Sequence, residues 1–308
     1  MIGTTTRWHD RPTALLLIVP SGLLGVVLAW ALTTVTGAAA VRFGADGIGA
    51  AVLGLAALPR LHDRLRVPWR LLAVLAGLWC GAEFTVLVFE AADVVGVVPT
   101  ALGADDFGTY LGEISGGQVG VVILVATAAI AGYAAFAFRR PDHAAPDLVL
   151  VFAAVPLALR PITGHMSQQP LGSVLAAVHT LAAAVWFGLL IGLALVVRGR
   201  GEWAVTLPRY SAVALPLVPV IAATGLVNGL VRVGGIEPLV STGYGRILLA
   251  KTLILAILSV LGWWWRRTWV ARAAGHRMNA EASLHRAVLE LVVMAPAFGL
   301  AASLAVTA

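Results

Sequence analysis

Long apolar stretches alternate with short polar connections along this chain, and every second connection is rich in arginine. A hydrocarbon core about 30 Å thick takes roughly 20 residues of helix to cross. Segments of that kind lie near 12–36, 40–59, 69–91, 117–138, 147–163, 172–197, 209–231, 244–265 and 283–306. The pattern predicts an all-α, polytopic transmembrane bundle of about nine spans, forming one integral membrane domain over residues 1–308. The second span is the weakest of the set, because Arg42 and Asp46 lie near its start. The first is followed by Thr36-Gly37-Ala38-Ala39-Ala40, which resembles a signal cleavage region. Its apolar run is long for a signal peptide, so an uncleaved anchor is expected. A short interfacial helix is expected around Phe107–Ile114, within the long connection that carries Asp93, Asp105, Asp106 and Glu113.

Lysine and arginine near span ends favour the cytoplasmic side. Arg7 and Arg11 precede the first span. Arg60, Arg64, Arg66 and Arg70, then Arg139 and Arg140, then Arg198, Arg200 and Arg209, and finally Arg266, Arg267, Arg272, Arg277 and Arg286 fall on every second connection. These are most of the 21 basic residues. The asymmetry predicts a cytoplasmic amino terminus and an extracytoplasmic carboxyl terminus. Trp263, Trp264, Trp265 and Trp269 beside those last arginines read as an interfacial anchor.

Composition agrees: 60% of residues are hydrophobic and 12% charged, about half the charged share of a soluble domain. The net charge of +6 does not point to nucleic acid, because the basic residues flank spans rather than forming one soluble patch. The bilayer is the partner they face. A single cysteine, Cys80, excludes an intramolecular disulfide and a cysteine-based zinc site. No GxxxxGK[ST] nucleotide-binding motif occurs, and neither does HExxH, CxxC or HxxxH. No nucleophile–base–acid set is apparent, so no enzyme is expected.

Ionisable residues inside spans cost roughly 2.5–3.5 kcal/mol each on insertion scales, and so need a partner or a purpose. Here they are Glu83, Glu90, Arg160, His179, Lys251 and Glu290. At about 1.5 Å of rise per residue, Glu83, Arg160, His179 and Lys251 fall at one level in the outer half of the membrane. Cys80, Glu83, Leu87 and Glu90 share a stripe of the third span; His179, Ala183 and Trp186 share one on the sixth; Glu290 and Met294 share one on the ninth. His165 and Met166 are adjacent at the outer mouth. Thioether, thiol and imidazole are copper-friendly ligands. The candidate metal residues are therefore His165, His179, Met166, Met294, Cys80 and Glu83, with Glu90, Arg160, Trp186, Tyr244, Arg246, Lys251 and Glu290 as supporting polar or aromatic groups. A bland reading stands beside each: Met294 and Cys80 as core, Lys251 with Glu83 as a structural ion pair, and Arg286 with Glu290 as a helix-surface pair.

Gly164-His165-Met166, followed by His179-Thr180-Leu181-Ala182-Ala183-Ala184-Val185-Trp186-Phe187-Gly188, resembles the CopD copper-resistance membrane proteins. The resemblance continues through Pro208-Arg209-Tyr210-Ser211, Thr224-Gly225, Thr242-Gly243-Tyr244-Gly245-Arg246 to Lys251, and Leu284-His285-Arg286 to Glu290. It covers residues 160–306; residues 1–150 match only as a generic run of spans. It implies a bacterial inner-membrane, multi-pass protein linked to copper uptake or handling. Copper ion would be the metal, His165 and His179 its candidate contacts, and an extracytoplasmic copper-binding protein a partner. No His- and Met-rich soluble segment occurs within residues 1–308, and the outer face is expected to be poor in methionine.

Four functions remain open on the residues: a copper permease, a non-transporting copper chaperone or oxidase assembly factor, a haem protein with His165 and His179 as axial ligands, and a structural or partner-binding membrane protein. The depths of the two histidines fit a shared haem poorly.

Overall fold

In lipid, backbone polar groups must be satisfied within the protein, and a helix does this within one segment. The computed structural model describes residues 15–163, 171–233 and 235–306, and all regular structure among the described residues is helical. The helices are α1 (Ile18–Leu32), α2 (Ala38–Leu61), α3 (Trp69–Val95), α4 (Ala104–Glu113), α5 (Ser115–Arg139), α6 (Pro146–Leu159), α7 (Gly172–Val196), α8 (Arg200–Val233), α9 (Glu237–Ser241), α10 (Gly243–Trp265), α11 (Ala271–Ala274) and α12 (Ala280–Val306). A π-helical turn over Arg266–Val270 joins α10 to α11 in one rod. Among the described residues, seven helices are long and apolar enough to cross a membrane: α2, α3, α5, α7, α8, the α10–α11 rod and α12. The other two apolar helices, α1 and α6, have only 15 and 14 residues.

The expected spans fall on these helices, with informative differences at their ends. α6 stops at Leu159, short of the expected 163, and the chain tightens into a 3-10 turn over Arg160–Thr163. Pro161 has no N–H to continue the α-helical ladder. α8 begins at Arg200 rather than 209 and continues through Pro208, Pro216 and Pro219. Its start is fixed by Glu202, whose Oε2 accepts from the backbone N–H groups of Arg198 at 2.8 Å and Gly199 at 3.0 Å. Such a reach-back satisfies N–H groups that have no partner within the helix. The short helix expected near Phe107 lies at Ala104–Glu113, with Asp105 and Asp106 in its first turn, where carboxylates complement the helix dipole.

The helices pack in two groups. In one group α3 and α6 pack on α2 and α5 packs on α3 and α6; in the other α8 and α12 pack on α7, and α1 and α10 pack on α12. The groups meet where α2 lies against α7 and α12, and where α6 and the turn after it lie against α7. α2, the span that looked weakest because it carries charge, is the most enclosed of the long helices. The α2–α7 contact is close because glycine faces glycine. A Cβ on Gly54 would run into the backbone of Gly188, and one on Gly188 into the carbonyl of Ala50. Small residues allow this approach, which carries the van der Waals contact that holds helices together in lipid.

Overpacking this seam is expected to destabilise the protein. Gly54→Ala and Gly188→Ala should each cost about 1–3 kcal/mol, read as a lowered Tm in detergent, because the added methyl meets backbone rather than a yielding side chain. Gly77→Ala, where a Cβ meets nothing within 4 Å, should leave Tm unchanged or raised.

Candidate functional site

Three polar clusters lie within the bundle. The first belongs to the α2–α6 group. α6 carries Arg160 at its C-terminal end, 14 residues from its start, and Glu83 lies 14 residues from the start of α3. Both are therefore about 21 Å from the N-terminal ends of their helices, and the Arg160 guanidinium pairs with the Glu83 carboxylate. A cation at a helix C-terminus is also favoured by the dipole. Trp79, one turn before Glu83, donates its indole N–H to Glu83 Oε1 at 2.9 Å. Arg160 reaches Glu90 as well, at 3.6 Å, and Arg42 of α2 pairs with the same Glu90 oxygen at 3.3 Å. Asp46, one turn along α2 from Arg42, interacts electrostatically with both arginines. Tyr110 of α4 closes the top by donating to Glu90 Oε2 at 3.3 Å. Burial, and then the Glu90 charge, hold the Tyr110 hydroxyl well above the usual phenol range, so it remains a donor.

The second cluster surrounds His179, seven residues into α7 and so about 10 Å along it. Nδ1 of the ring is 3.0 Å from Thr224 Oγ1 on α8. Thr224 gives its own hydrogen to the Val220 carbonyl, 2.6 Å away, so its oxygen accepts from His179 Nδ1–H. The ring also bonds to the backbone of Ile221, on the turn that Thr224 faces. This assignment puts the proton on Nδ1 and leaves Nε2 with its lone pair. A Cβ at residue 225 would come within 3.2 Å of His179 Cε1, so Gly225 keeps room for the ring. Lys251 of α10 acts electrostatically on the same ring.

The third cluster is deeper and joins α7, α8 and α12. Trp186 hydrogen-bonds to the Tyr210 hydroxyl, which lies 3.3 Å from Glu290 Oε1. Trp186, Tyr210, Glu290 and Met294 are all buried.

The structure thus places the sequence-derived candidates at separate stations. Glu83, Glu90 and Arg160 come together. Cys80 turns from their stripe toward α5, with Sγ 4.0 Å from the Leu124 carbonyl. His179 turns to α8, and Met294 packs in the core beside Glu290. His165 and Met166 lie outside the described residues. Among the described residues, no three His, Cys, Asp or Glu side chains form a group able to hold a metal ion. Two expected pairs are corrected. The partner of Glu83 is Arg160 rather than Lys251, since α6 ends beside Glu83 while Lys251 stands next to His179. Glu290 bonds to Tyr210 rather than to Arg286, because its face of α12 turns into the core. Tyr244 lies under the Arg232 guanidinium, 5.6 Å from its ring centre, and Arg246 is exposed. Sequence reasoning left out Trp79, quoted Thr224 and Tyr210 within the family signatures without a task, and passed over Arg42 as a flaw in a span. Arg42 carried a further signal as charge in an apolar run.

The placement gives the signature residues physical tasks. Thr224-Gly225 orients and accommodates His179. Arg209 donates to the Leu61 carbonyl at the end of α2, at 2.6 Å, and Tyr210 meets Glu290. Two family models match the chain: "Copper resistance protein D" over residues 204–304, and "Copper resistance protein D-like, N-terminal domain" over residues 26–173. The chain belongs to the copper resistance protein D family. The second match extends the likeness into the amino-terminal half, where sequence reading found only generic spans. A relative described as copper transport protein CutJ, from Bacillus subtilis (strain 168), is 27% identical over 166 residues, covering 49% of this chain and 30% of that protein. The matched part of the chain thus spans under a third of that relative's length. No solved structure matches.

The paired charges define the next expectation. Removing one partner of a buried pair leaves the other uncompensated, at about 3–5 kcal/mol. Arg160→Gln should lower Tm in detergent strongly. Glu83→Gln introduced into Arg160→Gln should recover part of the loss, and a double-mutant cycle reads the coupling.

Proposed function

We propose that this copper resistance protein D family member moves copper across the bacterial inner membrane and catalyses no covalent chemistry. His179 is the first described contact on the path. The observation that carries this reading is the presentation of its ring. Thr224 holds the Nδ1 edge, Gly225 leaves space for the ring, and on this tautomer Nε2 carries the lone pair that a metal would use. A neutral imidazole whose second nitrogen is fixed by a hydrogen bond is the usual form of a metal-ligating histidine. Copper would reach it by way of His165 and Met166, delivered by an extracytoplasmic copper-binding protein. The Glu83–Arg160–Glu90–Arg42 network would serve as the scaffold beside this path, its carboxylates already matched by guanidinium groups. The name of the CutJ relative, a copper transport protein, supports the same direction. A chaperone that hands copper to an outer-face enzyme would use the same histidine, and the position of His179 in the outer half of its helix favours that as the second reading. Copper flux into proteoliposomes separates them, since only a transporter accumulates metal in the lumen.

The nine apolar helices would all cross, with α1 and α6 as short spans, the amino terminus inside and the carboxyl terminus outside. In a Cys80→Ser background, Asp105→Cys should then react with an impermeant thiol reagent added to intact spheroplasts, and Arg272→Cys should react only after lysis. The reverse pattern would invert the topology.

His179→Ala should abolish copper accumulation by expressing cells at unchanged protein level, and unchanged accumulation would overturn the route. Thr224→Val, which removes only the orienting bond, should weaken copper affinity about 10-fold or more, measured by ligand competition on purified protein.

A further inference from the structure

Glu290 has no task in the outer half of the path. It lies ten residues into α12, about 15 Å along it, and is only 6% exposed. Among the described residues no basic side chain pairs with it, unlike Glu83 and Glu90 with their guanidinium partners. Its surroundings are nevertheless built. The indole of Trp186 can only donate, so it donates to Tyr210 Oη, and the tyrosine hydrogen is left for Glu290 Oε1. That fixes one carboxylate oxygen and leaves the other without a hydrogen-bond donor among the described residues. A carboxylate removed from water without an opposite charge costs several kcal/mol, so this one is neutralised either by a proton or by a bound cation.

Which cation would bind follows from the neighbour. Met294 stands one turn further on the same face of α12 and is 2% exposed, so a buried thioether shares that face with the carboxylate. Thioether sulfur is a soft ligand that selects Cu(I) over the alkali and alkaline-earth cations. The place also fits. Trp186 is seven residues inward from His179 on α7, about two turns and nearly the same face, and Tyr210 is 14 residues inward from Thr224 on α8. The helix pair that holds His179 therefore leads inward to Glu290.

We propose that Glu290 and Met294, with Tyr210 as the positioning residue, form a second, inner site for a soft monovalent cation, Cu(I). Glu290 neutralises the ion and Met294 supplies the soft ligand. This inference rests on the copper reading above and gives the path an inner station. Successive weak sites are what passage of an ion requires.

The test is binding stoichiometry on the purified full-length protein in detergent, with Ag(I) and Cu(I) titrated against a chromophoric competitor. Glu290→Gln keeps the acceptor for Tyr210 and removes the charge, and Met294→Leu conserves volume. Each is expected to bind one equivalent fewer than wild type, with His179→Ala also one fewer and the His179→Ala/Glu290→Gln pair two fewer. Wild-type stoichiometry in Met294→Leu and in folded Glu290→Gln, alongside a loss in His179→Ala, would overturn the inner site and leave the outer route standing. Absence of metal binding by the wild type would overturn both. Tyr210→Phe separates positioning from ligation: it should keep the stoichiometry and lower only the affinity of the inner equivalent, and an unchanged affinity would remove Tyr210 from the site.

Discussion

Charge inside lipid must be answered by charge, and the Arg160–Glu83 pair is where this bundle meets that requirement. The pair depends on a short helix. α6 has 14 residues and gives way at Pro161, so its last residues stop beside the middle of α3 instead of passing it. A full-length α6 would carry Arg160 along one wall of the bundle as part of a continuous ladder. The broken one gives it a helix terminus, whose dipole favours the guanidinium, and a carboxylate at the same depth. From there the network spreads by shared contacts: Arg160 to Glu90, Glu90 to Arg42 and Tyr110, and Glu83 to Trp79. α2, α3, α4 and α6 are tied at one level by groups that would each be costly alone. Exchange of either charged partner for an apolar group would also have to answer for the other.

This dependence explains why α2 looks least like a span and is the most enclosed. Hydropathy scores a segment as though all its faces met lipid. Arg42 and Asp46 meet Glu90 and the arginines, while Ala45, Ala50, Leu53 and Leu58 meet other helices. Such a helix needs small residues more than apolar ones, which is why its approach to α7 rests on Gly54 and Gly188.

Much of the architecture was legible because the bilayer acts on each segment separately. The long apolar helices, the short helix near Phe107 and the matching positions of Glu83 and Arg160 along their helices follow from length, hydropathy and rise per residue. The copper likeness was legible from ordered signatures in the second half. Pairings were not, because depth fixes height and leaves azimuth open. Lys251 and Arg160 stand at similar heights, and nothing along the chain says which of them faces Glu83. Thr224 was quoted as part of a signature without a task, since its bond to His179 joins residues 45 apart in sequence. Tyr210 and Glu290 are 80 apart. Cys80 shows the opposite limit: a shared stripe with two carboxylates did not prevent a sulfur from turning to a different neighbour.

The two helix groups answer polarity in different ways, and that difference assigns their roles. In the α2–α6 group the carboxylates Glu83 and Glu90 meet guanidinium groups, and such a network gains nothing from admitting an ion. In the α7–α12 group the polar groups are oriented by hydrogen bonds without an ion pair among the described residues: neutral His179 held at Nδ1 by Thr224, Glu290 held at one oxygen by Tyr210. α8 supplies both holding residues, and Pro216 and Pro219 lie between them. Each proline removes an N–H from the helix ladder, leaving the carbonyls of Ala212 and Leu215 without their usual donor. The α2–α7 seam on the other side of His179 is backbone against backbone and resists displacement. Between the two polar levels α8, the helix that orients both, therefore has an interrupted backbone ladder.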